Sequence, residues 1–292
     1  MRYINHEEVA SKTKKRLTKN TIFKGVFAAA TTFGLIVLTI LLYRIITQGS
    51  GYISLDFFTS FASRIPENSG IKAAIAGSIY LMLVVAPVSM FLGVGTAIYL
   101  EEYATKNRFN TFIKINISNL AGVPSVVFGL LGLTIFARFF DLGISILAAG
   151  LTMSLLILPI IIVASQEAIR AVPNELREAS FAMGATKWQT ILRVVLPASI
   201  PGILTGSILA LSRAIGETAP LVVLGIPTIL MFMPDGLLST FTALPMQIFD
   251  WTKRPQVEFH DVAAGGIIVL MALLLFMNSI AVFIRNKYQN RY

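Results

Sequence analysis

Seven stretches of this chain contain no Asp, Glu, Lys or Arg: 25–43, 73–100, 115–137, 142–166, 194–212, 218–234 and 262–284. A helix crossing lipid needs about 17 to 25 such residues, because hydrocarbon offers the backbone no hydrogen-bond partner outside the helix. Every run is long enough, so the membrane is the first constraint on the fold. Only 13% of the residues are charged and 55% are hydrophobic, with a mean hydropathy of +0.75. Soluble domains carry about 25% charged residues, so a soluble enzyme is excluded.

The run at 218–234 is the weakest, because Pro220, Pro227 and Pro234 interrupt it and only Arg213 to Glu217 separates it from the run before. Residues 200–225 therefore read as one span with a broken, proline-rich outer end, which makes six spans. With the N-terminus inside, the inner segments 1–24, 101–114, 166–199 and 285–292 hold 17 of the 24 Lys and Arg; a seven-span reading leaves 16 inside. This bias puts the N-terminus in the cytoplasm and does not choose between six and seven. The expected organisation is an all-α integral membrane protein. It has a basic cytoplasmic arm at 1–24, a first span and external loop at 25–70, a core at 71–285 containing the cytoplasmic loop 166–199, and a cytoplasmic tail at 286–292.

The net charge of +9 is thus a positive-inside signal, not a nucleic-acid one. The arm, with Lys12, Lys14, Lys15, Arg16, Lys19 and Lys24, reads as a solvated segment touching anionic lipid. The apolar run behind it exceeds a signal-peptide core and lacks a clear cleavage site, so the first span is expected to stay as an anchor. Phe57, Phe58 and Phe61 in the first external connection are expected to pack on the membrane surface.

Catalysis finds no support. There is no cysteine, and the two histidines, His6 and His260, lie far apart, which removes thiolate chemistry and a histidine-rich metal site. G-x-x-x-x-G-K-[ST], H-E-x-x-H and G-x-S-x-G are absent. No catalytic residue, metal or cofactor is expected, and any ATP-derived energy must come from another subunit. An ion-coupled transporter remains open, although the halves show no convincing repeat.

The most patterned cytoplasmic segment is Ala171 to Pro197, AVPNELREASFAMGATKWQTILRVVLP. Pro173 suits a helix start, and Glu175 and Glu178 favour its positive end. Leu176, Ala179 and Met183 follow at helical spacing, and Gly184 can end the helix in the left-handed conformation. Thr186 and Gln189 match a capping box that opens a second helix running to Pro197. The hairpin is either an amphipathic elbow on the membrane or a knob whose small residues Ala179, Ser180 and Ala182 enter a partner's groove. A DNA-reading helix-turn-helix fits poorly between two spans.

Arg213 and Glu217 stand four residues apart inside the fifth span, so they share a helix face and can pair. Arginine mid-membrane costs about 2.5–3.5 kcal/mol on insertion scales, so the pair is expected to face the bundle interior. It is either a buried register-fixing pair or part of a translocation path. A guanidinium matches a tetrahedral oxyanion, and an acceptor-only carboxylate discriminates a protonated anion from sulfate. In the third span, Ala121 to Gly129 reads AGVPSVVFG. Pro124 bends the helix and Gly122 and Gly129 allow close approach, with Ser125 either packed or lining a path.

Glu178-Ala179-Ser180, Gly184, Ile191 and Leu196-Pro197 resemble the E-A-A, G, I-x-L-P signature of ABC importer permeases, with Ser180 replacing the second alanine. Arg213-Ala-Ile-Gly-Glu217-Thr-Ala-Pro-Leu221 and the Ala121 to Gly129 string resemble segments of phosphate ABC transporter permeases, the first being similar to the A-type subunit (PstA). The resemblance covers roughly 70–285. It implies a type I, MetI-like permease core of five helices plus an N-terminal span, in the bacterial inner (plasma) membrane, with both termini cytoplasmic. It implies a C-type permease partner, two ATP-binding subunits on the coupling hairpin (Glu178, Ala179, Gly184) and an extracytoplasmic phosphate-binding protein. The implied path residues are Arg213, Glu217, Thr218 and Ser125; Gly122, Pro124, Gly129, Gly216 and Pro220 serve bending and packing. A permease for sulfate or molybdate stays open beside this. The loop 235–261 is placed outside, either solvated or meeting the binding protein.

Overall fold

The computed structural model describes residues 6–105 and 107–289, and all regular secondary structure among them is helical. α1 (His6–Gly49) leads to α2 (Lys72–Ile98), extended by a wider π turn at Tyr99–Tyr103. α3 (Arg108–Leu120) and α4 (Ser125–Gly132) follow, α4 continuing through π turns at Leu133–Phe139. Next come α5 (Ile146–Arg170), α6 (Asn174–Ala182), α7 (Lys187–Thr190) and α8 (Leu196–Gly216), the last two joined by a π turn at Ile191–Val195. α9 (Ala219–Leu224), α10 (Leu244–Lys253) and α11 (Glu258–Gln289) complete the chain.

Arg16–Tyr52, Lys72–Tyr103, Ile146–Arg170, Lys187–Gly216 and Glu258–Asn286 are each long and apolar enough to cross a bilayer, and the α3–α4 pair counts as a sixth span if taken as one. The bend expected at Pro124 is a full break of the span at 115–137, since the two helices meet at 104°. The break is local chemistry. Pro124 has no N–H and disfavours helical conformation at Val123, and the chain turns through Gly122 N–H to Asn119 O at 3.0 Å and Val123 N–H to Leu120 O at 3.2 Å.

The fifth span is also longer than expected. The second hairpin helix does not stop at Pro197 but continues to Gly216 as one rod. The π turn just before α8 widens the helix where the imino nitrogen of Pro197 cannot donate. At the other end of the chain the helix of the first span begins at His6, so the basic arm from there on continues that helix. Residues 1–5 of the arm and 290–292 of the tail lie outside the described residues.

The central core takes Leu81 and Val85 from α2, Phe128 from α4, Met153, Ile157 and Ile161 from α5, Ala210 from α8 and Leu221 from α9. α5 and α8 approach closely because small residues face each other. A Cβ on Gly202 would lie 2.7 Å from Ala168 Cβ, and one on Gly206 would overlap Ala164. In lipid, where dispersion must replace the hydrophobic effect, such small-residue seams hold helices together.

A second core covers the end of the bundle opposite the hairpin, with Phe57, Ile71, Trp251 and Phe259 buried together. It corrects two expectations. Phe57 packs against the Trp251 ring at 6.1 Å rather than on the membrane surface. The loop 235–261 is not a solvated connection, because α10 buries Leu244, Met246, Gln247 and Trp251 almost completely. Leu244 N–H donates to Ser78 Oγ at 2.9 Å and Gln247 Nε2 to Gly70 O at 2.8 Å.

Candidate functional site

Pro173 is the cap residue of α6, with extended backbone, and the first helical residue is Asn174. The helix ends as expected: Gly184 takes φ +80°, Met183 N–H donates to Ala179 O at 3.1 Å and Gly184 N–H to Phe181 O at 2.9 Å. Both bonds of the Thr186–Gln189 capping box form, at 2.9 and 3.3 Å. Ser180 Oγ and Thr190 Oγ1 share a 2.9 Å hydrogen bond that ties the two arms of the hairpin. Glu178 and Ala179 are exposed, and with them Leu176, Phe181, Trp188 and Met183, the last 88% exposed. A knob of this character has enough apolar surface to bury in a partner's groove.

The hairpin is held from beneath by residues that the sequence patterns did not single out. Glu101 Oε1 accepts from Lys114 Nζ at 2.8 Å, Gln166 Nε2 at 2.9 Å and Arg170 Nη2 at 3.0 Å. Glu102 pairs with Arg177 at 3.0 Å. Lys187 Nζ lies 5.0 Å from the Tyr103 ring centre. One signal existed: two glutamates at the negative end of a long helix oppose its macrodipole and need cations nearby.

The fifth span breaks where the charged pair sits. α8 ends at Gly216, which faces open space, and Glu217 is extended, with φ −79° and ψ 124°. Thr218 precedes α9 without a side-chain capping bond, and Pro220, in the first turn of α9, is buried. Arg213 Nε and Glu217 Oε2 are 4.0 Å apart, with side chains 52% and 21% exposed. The two groups therefore meet across a helix end and not on a continuous helix face. Within this chain the Arg213 guanidinium is half-exposed, on a face that the chain's other helices leave open.

Ser125 is the first residue of α4, half-buried, one turn before Gly129. A Cβ on Gly129 would lie 2.9 Å from Pro220 Cα and Pro220 O, so α4 packs tightly onto the segment following the break. Close approach belongs to Gly129; Gly122 meets only Asn119 O of its own turn, at 3.5 Å. Arg213 and Glu217 are thus brought together, and Ser125 shares a helix with the residue on which Pro220 rests.

The profile described as "Binding-protein-dependent transport system inner membrane component" matches residues 89–291. The "Phosphate transport system permease protein PstA" of Yersinia pestis is 33% identical over 278 residues, covering 94% of this chain and 92% of that one. The "Probable ABC transporter permease protein YqgI" of Bacillus subtilis (strain 168) is 32% identical over 266 residues, 87% and 90% of the two chains. Among solved structures, a bacterial alginate ABC transporter in complex with its alginate pentasaccharide-bound periplasmic protein aligns with a TM-score of 0.63 at 14% identity, covering 91% of this chain and 94% of that one. The inward-facing MetNI methionine ABC transporter aligns with a TM-score of 0.58 at 16% identity, covering 74% and 94%. These two likenesses concern the fold, a MetI-like permease bundle. The profile match and the extent of the sequence relatives make this chain a transport subunit, not an enzyme, and a member of the family of inner membrane components of binding-protein-dependent transport systems.

Proposed function

We propose that this chain is the A-type permease subunit of an ATP-driven inorganic phosphate importer. One observation carries the substrate class: a half-exposed guanidinium, Arg213, stands at the broken end of a membrane span with a carboxylate 4.0 Å away. Arginine does not face lipid at that depth without a partner or water. The open face is therefore covered by a second permease chain, of C type, and the two chains enclose the path. Among the described residues the Arg213 guanidinium makes no hydrogen bond, so its planar donors are free for a tetrahedral oxyanion. Glu217, Thr218 and Ser125 are the other residues assigned to the path, and the relatives named as phosphate permeases agree with that substrate.

ATP hydrolysis takes place in two ATP-binding subunits that receive the exposed hairpin around Glu178, Ala179 and Gly184. This places the hairpin and both termini in the cytoplasm. Phosphate is delivered by an extracytoplasmic binding protein docking over α10 and its flanking loops. Movement of the hairpin re-aims the α8 rod, since the two are one continuous helix.

The test is ATP-dependent uptake of radiolabelled phosphate by vesicles containing the reconstituted complex. Arg213→Ala is expected to lower uptake about tenfold or more, the worth of a charge-assisted hydrogen bond, with the complex still assembled. Uptake of sulfate or molybdate in place of phosphate by the wild-type complex overturns the substrate. Uptake without any ATPase subunit overturns the importer.

A further inference from the structure

The coupling hairpin is joined by the chain itself to α5 on one side and to α8 on the other, but its link to α2 is made entirely by side chains. Beside the apolar packing of Ala97 with Val172 and Val195, the polar side chains that make it are three consecutive residues of the π turn that ends α2. Glu101 holds Lys114 of α3 and Gln166 and Arg170 of α5. Glu102 holds Arg177 of α6. Tyr103 lies under Lys187, the first residue of α7. The wider turn, closed by Ala104 N–H to Tyr99 O at 2.8 Å, spreads neighbouring side chains over three directions.

The Glu102–Arg177 pair is the tightest part of this grip. Its side chains are only 11% and 16% exposed. Arg177 also donates to Ile169 O, in the last turn of α5, at 2.9 Å and to Val172 O, just beyond it, at 2.5 Å, where a helix terminus leaves carbonyls short of partners. One guanidinium thus joins the hairpin, the end of α5 and the end of α2. A desolvated pair with this many hydrogen bonds cannot slide gradually, because breaking it leaves a buried charge.

We infer that Glu102 and Arg177 are positioning residues for energy coupling: they make the inner end of α2 move with the hairpin when the ATPase subunits move it. This rests on the importer reading above. Without the grip, the hairpin still docks and still pulls α5 and α8 through the backbone, but α2 follows only through its apolar packing on α5, and its inner end is no longer fixed to the hairpin.

The chain has no cysteine of its own, so Thr218→Cys supplies a single reporter at the break. In vesicles with all partner subunits, its labelling by a membrane-impermeant maleimide is followed with and without ATP and vanadate. Glu102→Ala is expected to shrink the ATP-dependent change in labelling about 2- to 30-fold, the range for mutations that modulate coupling. The ATPase subunits are expected to copurify as before, and Glu102→Asp to retain most of the response. Where Glu102→Ala does not assemble, Glu102→Gln, which keeps the volume and loses the charge, decides in its place. An ATP response equal to that of the unmutated reporter chain overturns the relay. So does loss of ATPase copurification in Glu102→Gln, which makes the pair part of docking instead. The labelling needs no phosphate, so failure of phosphate uptake by the complex without the reporter substitution counts against the substrate reading and leaves the relay standing.

Discussion

Ser212 donates a 2.6 Å hydrogen bond to Asn278 Oδ1, and the next residue of α8 is Arg213. Seven residues away on each helix, Arg285 Nη1 donates to Thr205 Oγ1 at 3.3 Å. Two polar contacts two turns apart thus fix the rotation of α8 against α11, and with it the direction in which Arg213 points.

Asn278→Leu is therefore expected to lower the melting temperature of the purified complex modestly, since such intramembrane bonds average about 0.6 kcal/mol with a maximum near 1.7. It is expected to lower phosphate uptake by a larger factor, because a rotated α8 misdirects Arg213. Equal losses in stability and transport would assign Asn278 to packing alone.

Gly129 and Gly122 separate packing from mere flexibility. Gly129→Leu forces side-chain atoms into the backbone of Pro220, 2.9 Å from an added Cβ, and overpacking of this kind costs about 1–3 kcal/mol. Gly122→Ala meets only Asn119 O at 3.5 Å and is expected to stay within about 0.5 kcal/mol of wild type. Melting curves of the two variants, read side by side, check the contrast.

Selectivity is expected to reside in Glu217. Its carboxylate accepts a hydrogen bond from a protonated anion and repels one without a proton. Glu217→Gln should then raise sulfate uptake relative to phosphate in a competition assay. An unchanged preference would remove Glu217 from anion discrimination.

At the hairpin, Gly184 has φ +80° with open space around it, so Gly184→Val pays a conformational cost of about 1–2 kcal/mol and no steric one. Met183→Asp, at a side chain 88% exposed, is expected to leave the melting temperature unchanged and to lose ATPase subunits on affinity purification. Retention of those subunits would move the docking surface away from this turn.

Local signals accounted for the hairpin almost bond by bond. Pro173, Gly184, Thr186 and Gln189 act through their own backbone neighbours, so their chemistry is complete within a few residues. The charged pair was legible as a pair of residues but not as a geometry, because i,i+4 spacing aligns side chains only while the helix continues, and α8 stops at Gly216. The third span failed in the same way: a proline in an apolar run is compatible with a kink or with a 104° break, and the choice depends on what packs on either side.

Apolar run length and capping chemistry were enough to establish a multi-spanning helical protein with a helical hairpin between two of its spans. Burial of α10 against the start of α2, the Gly202–Gly206 seam on Ala164 and Ala168, the open face around Arg213 and the grip of Glu101, Glu102 and Tyr103 emerged only from the packed chain. Each of those unites residues from separate helices. Helix formation in lipid is a local backbone requirement that a single segment satisfies alone, whereas which faces meet depends on side-chain shape and charge summed over several segments at once.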